Sequence, residues 1–282
     1  MLKLNWQNLI TRGVAGAIYI GIILLGILYN KYSFVVVFGV ILVFALNEFY
    51  RLIEQQTPHL ISKLFNILFG VLIFLSAYLF LEEKSILALP ISSLIYLLFL
   101  FASTLIIKRA DIFNTIIYSV FGQLYITLPF CLLLLISYEY NLANSIYYYA
   151  FVLAIFVFIW INDTFAFLTG ITIGKNKLLE RISPQKTIEG FIGGIFFTVL
   201  AGVGFSYIYT DYTIYFWIGF ALIVSLFATL GDLFESLIKR TYNVKDSGNI
   251  IPGHGGILDR IDSLLIVVPA IYVYLLITNS FL

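Results

Sequence analysis

Nine mostly apolar stretches follow one another along the chain: Gly13–Tyr29, Ser33–Asn47, Leu64–Leu81, Ile86–Ile107, Thr115–Ser137, Ile146–Gly170, Gly190–Tyr209, Thr213–Leu230 and Ile261–Ser280. A helix crossing a bilayer core needs roughly 20 such residues, with about 17–25 tolerated. The second stretch is short and is expected to extend toward Arg51. Open strands leave backbone groups unpaired in hydrocarbon, so the spans must be helices. The expected fold is an all-α polytopic membrane protein, a bundle of about nine transmembrane helices. Composition agrees: 61% of residues are hydrophobic and 11% charged, whereas a soluble domain carries about 25% charged residues. No Pro-rich linker or internal repeat divides the chain. Residues 1–150 hold about five spans and residues 151–282 the polar motifs, within one integral membrane unit.

Basic residues orient the bundle. With a cytoplasmic N-terminus, all but Lys31 and Lys84 of the 16 Lys and Arg residues fall in cytoplasmic segments, the bias of the positive-inside rule. Gly13–Tyr29 reads as a first anchor and not a cleaved signal, because no small-residue cleavage pattern follows it. The net charge of +1, with no basic arm, excludes a nucleic-acid partner, and the lone Cys131 excludes an intramolecular disulfide.

Chemistry is then sought on the inner side. Gly231–Asp262 carries Asp232, Asp246, Asp259 and Asp262 with Lys239, Arg240, Lys245 and Arg260, in a chain otherwise poor in charge. Ionised residues at or within membrane helix ends are expensive and usually functional. If the eighth helix continues, Asp232, Ser236 and Lys239 share one face, and Asp259 and Asp262 share a face of the next. Between them lies Pro252-Gly253-His254-Gly255-Gly256. Its glycines would let backbone N–H groups approach an anion at a helix start. Aspartates across such a turn can hold a divalent metal, and Lys and Arg neutralise phosphates: the equipment of phosphoryl transfer. His254 is a candidate phosphate contact there, and Glu235 reads as structural.

Single residues also have plainer readings. Asp232 with Lys239 could be an ion pair, and juxtamembrane Lys or Arg commonly anchor a helix; the whole cluster is not explained that way. Ser183, Lys186 and Thr187 precede the seventh span and suit an anion at a helix N-terminus, or a cap plus an anchor. Asn162-Asp163-Thr164 lies inside the sixth span, where an aspartate is a functional hypothesis or one half of a helix–helix hydrogen bond. Glu48, near the end of the second span, is left as structural or unassigned. Gly190, Gly193 and Gly194 read as close helix packing.

The pattern Ser236-x-Ile238-Lys239-Arg240-x4-Lys245-Asp246-x-Gly248-x2-Ile251-Pro252-x-His254-Gly255-Gly256-Ile257-x-Asp259-Arg260-Ile261-Asp262 resembles, without a gap, the signature of the phosphatidate cytidylyltransferases, or CDP-diacylglycerol synthases. Asn162-Asp163-Thr164 and Ser183-Pro184-x-Lys186-Thr187 resemble the family's other polar motifs. Gln185 departs from it, since many members have lysine there. The strong resemblance covers roughly residues 160–265. It implies the reaction of CTP with phosphatidate to give CDP-diacylglycerol and diphosphate, with Mg2+, a second monovalent cation as a further candidate, and a homodimer. The site would open to both cytosol and bilayer, in a bacterial cytoplasmic (inner) membrane. Carried onto matching positions, the catalytic set is Asp232, Lys239, Lys245, Asp246 and Asp259. Substrates would meet Ser183, Lys186, Thr187, Ser236, Arg240, Gly253, His254, Gly255, Gly256 and Arg260. Asp232 and Asp259 would be the metal carboxylates, with Asp163 and Asp262 as further metal candidates.

The chemistry needs no side-chain nucleophile, because a phosphomonoester is largely ionised near neutral pH, its second pKa being about 6. Two other readings stand beside it. One is a cytidylyltransferase acting on another lipid phosphate. The other is an ion-coupled transporter, against which no pair of interrupted spans occurs in corresponding halves.

Overall fold

In hydrocarbon the backbone has to pair with itself, and a sequence with long apolar runs does so as helices. The computed structural model describes residues 6–54, 63–83, 85–106, 112–140, 145–250 and 255–278, without the side chains of residues 6–12, 106, 139, 140, 145 and 146. The helices are α1 (Trp6–Leu28), α2 (Lys31–Glu54), α3 (Lys63–Glu83), α4 (Ala88–Ile106), α5 (Ile112–Gly122), α6 (Leu128–Ile136), α7 (Ala150–Ile173), α8 (Ile188–Ile208), α9 (Ile214–Thr241) and α10 (Leu258–Ile277). A π-helical segment, Gln123–Thr127, makes α5 and α6 one continuous rod. Each of the nine apolar stretches has a helical rod as its main part, though Ile146 and Tyr147 fall in a strand, and α2 does run past Arg51. Among the described residues, eight rods are long and apolar enough to cross a bilayer, and Gly13–Leu28 of α1 is a shorter apolar run. The chain is an all-α polytopic membrane protein, with many large apolar side chains such as Leu25, Val36, Leu98 and Phe196 facing outward.

Two antiparallel hairpins interrupt the helices, a feature the apolar pattern did not announce. β1 (Tyr138–Tyr140) pairs with β2 (Ser145–Tyr147), and β3 (Lys177–Leu179) with β4 (Ser183–Thr187). Pro184 pushes Ser183 toward extended backbone, which suits β4.

The described chain divides into two compact units, Met1–Leu135 with Asp246–Arg260, and Ile136–Lys245 with Ile261–Leu282. In the first, polar side chains are buried among the helices and answer one another. Tyr96 donates to Asn66 Oδ1 (2.8 Å), Gln123 Nε2 to the Asn66 carbonyl (2.8 Å), and Thr127 to Gln123 Oε1 (2.7 Å). Without water, such groups need partners from neighbouring helices. In the second unit α7 and α8 pack at backbone distance. A Cβ on Gly190 would lie 2.6 Å from the Ala166 carbonyl, and one on Gly194 would lie 2.7 Å from Asn162 Oδ1. The expectation of close packing at the Gly190–Gly194 stretch therefore holds.

Candidate active site

In the second unit, α9 continues beyond its apolar part to Thr241, so Asp232, Ser236 and Lys239 do lie on one helix. The Ser236 hydroxyl donates to Asp232 Oδ1 at 3.3 Å. Lys186, delivered by β4, forms an ion pair with Asp232. The next residue, Thr187, caps α8: its oxygen accepts from the Gly190 N–H at 3.1 Å. The hydroxyl hydrogen is what Thr187 retains for donation. Glu189 ties the preceding turn to α8 by accepting from the backbone N–H groups of Lys175 and Asn176. Lys186 is thus held at a braced hairpin–helix junction.

Asp262 reaches the same cluster from α10, within electrostatic range of Asp232, Asp163 and Lys239. The cause is a close approach of α9 and α10. A Cβ on Gly231 would lie 2.7 Å from the Asp262 carbonyl oxygen and 2.8 Å from Ser263 Cα. Ser263 then donates to the Ala228 carbonyl at 3.1 Å. Asp163 is fixed beside Asn162, whose Nδ2 donates to Asp163 Oδ1 (3.3 Å) and whose Oδ1 accepts from Ser225 (2.5 Å). The helix–helix hydrogen bond at this motif runs through Asn162, and the bond of Asp163 is to Asn162 on the same helix. Lys239 pairs with Glu235, which is 1% exposed. Like charges disfavour one another, so a bound cation would ease the approach of Asp262 to Asp232 and Asp163.

In the first unit, Asp259 stands in the first turn of α10. Its carboxylate accepts from the Ser247 N–H (3.2 Å to Oδ1, 3.0 Å to Oδ2) and from the Gly256 N–H (2.7 Å). Gly255 has φ +84, the left-handed region that favours glycine. A Cβ there would lie 2.6 Å from Asp259 Oδ2 and 3.6 Å from Asp246 Cβ. Asp246, Gly255, Gly256 and Asp259 are thus brought together.

The remaining expected residues are placed as follows. Ser183 is half-buried in β4, and Arg240, Lys245 and Arg260 are exposed. Gly253 and His254 lie outside the described residues. Sequence reasoning left Glu48 unassigned; it is 2% exposed and bonded to the Asp246–Arg260 segment. The available signal was an acid near the end of an apolar span, without a neighbour in sequence to explain it.

The donors available for a metal are oxygens, which suit a hard cation. Among the described residues no group of three or more His, Cys, Asp or Glu side chains is placed to hold a metal ion. Mg2+ is usually held by one or two carboxylates plus substrate phosphates and not by an all-protein cage, so the aspartates fit it.

Comparison with known proteins bears on the same residues. The sequence profile of the cytidylyltransferase family matches residues 10–278. A phosphatidate cytidylyltransferase of Bacillus subtilis (strain 168) is 33% identical over 274 residues, covering 94% of this chain and 96% of the relative. One from Staphylococcus aureus (strain COL) is 49% identical over 128 residues, 45% of this chain. That alignment spans about half the relative's length (49%). One from Staphylococcus haemolyticus (strain JCSC1435) is 41% identical over 156 residues, covering 52% of this chain and 58% of the relative.

Proposed function

The chain belongs to the cytidylyltransferase family, and from that premise we propose that it transfers the cytidylyl group of CTP to phosphatidate, giving CDP-diacylglycerol and diphosphate in phospholipid synthesis. The observation that carries the proposal is the gathering of Asp163, Asp232 and Asp262 with Lys186 and Lys239 in and beside apolar helices. Family membership, more than geometry, favours this reading over a cation-coupled transporter.

In the proposed reaction a phosphatidate oxygen attacks the α-phosphorus of CTP. A new P–O bond forms as the bond to the diphosphate breaks, and the diphosphate leaves with that electron pair. No side chain has to remove a proton, because the attacking phosphate is already ionised. The difficulty is to bring two polyanions together. Lys186, at the start of α8, can turn its ammonium from Asp232 toward a phosphate, and the α8 N-terminus adds a favourable dipole. Lys239 is held in place by Glu235. On the resemblance alone, Asp232 and Asp259 would be the carboxylates for Mg2+, which when bound would offset phosphate charge and polarise the leaving group. Magnesium and a homodimeric state belong to the same proposal and rest on the resemblance. The test is a detergent-micelle assay with CTP labelled at its α-phosphate. Label is expected in CDP-diacylglycerol only when phosphatidate is supplied. Label passing instead to an isoprenoid phosphate, or to no lipid, would refute the assignment.

The site is proposed to face the cytosol, on the strength of the basic-residue asymmetry. On a Cys131→Ala background, Asn249→Cys and Asp211→Cys both sit at exposed loop positions. In right-side-out vesicles an impermeant thiol reagent should label position 211 directly and position 249 only after permeabilisation. The reverse order would invert the topology.

A further inference from the structure

Glu48 is a buried carboxylate on α2, among helices that carry none of the polar motifs. Among the described residues, its oxygens accept from donors of one distant segment. The Ser247 hydroxyl donates to Oε2 (3.1 Å), the Leu258 N–H to Oε2 (2.8 Å) and the Ile257 N–H to Oε1 (3.0 Å). These partners lie 199 to 210 residues away in sequence. The segment is shaped around the carboxylate. A Cβ on Gly248 would lie 2.4 Å from Oε1, and one on Gly256 would lie 2.4 Å from Oε2.

The location of the two backbone donors matters. Leu258 opens α10 and Ile257 immediately precedes it, where the first N–H groups of a helix have no intrahelical acceptor and are normally capped by a nearby side chain. Here the acceptor is a carboxylate from another helix. A buried carboxylate is costly unless each oxygen is hydrogen-bonded, and a local Ser or Asp could cap α10 without that cost. What the remote acid adds is position. It fixes the backbone immediately before Asp259, whose own carboxylate grips Ser247 and Gly256 of the same segment. Two carboxylates therefore clamp the segment that carries Asp246 and Asp259, one from within it and one from α2.

We infer that Glu48 is a positioning residue for the reaction, holding Ser247, Ile257 and Leu258 so that the adjoining Asp246 and Asp259 present their carboxylates to substrate and cation. The inference rests on the proposed function for its catalytic consequence, while the clamp itself rests on the contacts alone. Glutamine at position 48 keeps the shape but turns one acceptor into an N–H, set against backbone N–H groups. Aspartate keeps both acceptors on a chain one methylene shorter.

The test uses the purified full-length protein with two readouts. Hydrogen exchange without substrate or metal should rise in peptides covering residues 246–260 of Glu48→Gln, while peptides from α3 stay as in the wild type. In the CTP:phosphatidate assay kcat should fall about 10–100-fold, the loss typical when an outer partner of a functional ligand is removed. The KM for phosphatidate should change little, and Glu48→Asp should recover part of kcat. If Glu48→Gln fails to fold, Ser247→Ala, which removes one of the three contacts, should raise exchange in the same peptides, and Glu48→Asp should show the smaller kcat loss. Wild-type exchange and kcat in these variants would overturn the inference. So would a uniform rise in exchange with activity falling only as the folded fraction falls, since that marks a purely structural acid. An inactive wild type would sink the proposed function instead, and the exchange readout would still decide the clamp.

Discussion

Asp232→Asn is expected to lower CTP:phosphatidate turnover about a thousandfold or more. Losing one metal carboxylate should remove several kcal/mol of transition-state stabilisation, at about 1.36 kcal/mol per tenfold in rate. Asparagine keeps the shape and one oxygen but not the charge that offsets a cation. Asp259→Asn should cost as much, with one difference traceable to the contacts. Asp259 also accepts from the Ser247 and Gly256 N–H groups, so its replacement should loosen the 246–260 segment, whereas Asp232→Asn should leave that segment's hydrogen exchange unchanged. Asp262→Asn should be milder, roughly 10–100-fold, if Asp262 only supports the cluster. Lys186→Ala removes the ammonium paired with Asp232. It should cost roughly 10–150-fold, the equivalent of a charge-assisted hydrogen bond worth about 1.5–3 kcal/mol. The measurement is turnover across a magnesium titration, with the monodisperse folded fraction as control. Near-normal activity of folded Asp232→Asn at limiting magnesium would remove Asp232 from the metal assignment.

Gly231→Ala should produce the second large effect, through backbone contact and not through charge. Its new Cβ would meet the Asp262 carbonyl at 2.7 Å and Ser263 Cα at 2.8 Å. Neither is the end of a flexible side chain, so α9 and α10 must separate. Overpacking of this kind typically costs about 1–3 kcal/mol of stability. A shift near 1 Å at a reacting site can cost about a hundredfold in rate. Turnover should therefore fall further than the folded fraction does. Gly204→Ala is the matched control: no atom lies within 4 Å of its built Cβ, and alanine is the better helix former by about 1 kcal/mol. Equal turnover in the two variants would show that the α9–α10 contact does not set the position of Asp232 against Asp262.

The sequence by itself determined the class and most of the vocabulary of the site. Helix spans were legible because hydrocarbon admits few backbone solutions, so apolar length translates directly into a rod. The face shared by Asp232, Ser236 and Lys239 was legible because helical periodicity is local. Close packing at Gly190–Gly194 was legible because only small residues allow backbones to meet. The signature around Gly231–Asp262 identified the family because so many polar positions recur in a chain with little other charge.

Tertiary structure decided what local spacing cannot encode. Thr187 caps α8 with its oxygen, and the sequence left cap and phosphate contact equally open. Lys186 answers to Asp232 across 46 positions of chain. The two hairpins depend on pairings between short polar stretches with no apolar period to reveal them. Glu48 is the clearest case. Near the end of an apolar helix it carried a signal but no partner, because its partners lie some 200 residues on. A buried carboxylate is defined by the donors that surround it, and those donors are assembled only when α2 and the segment before α10 fold together.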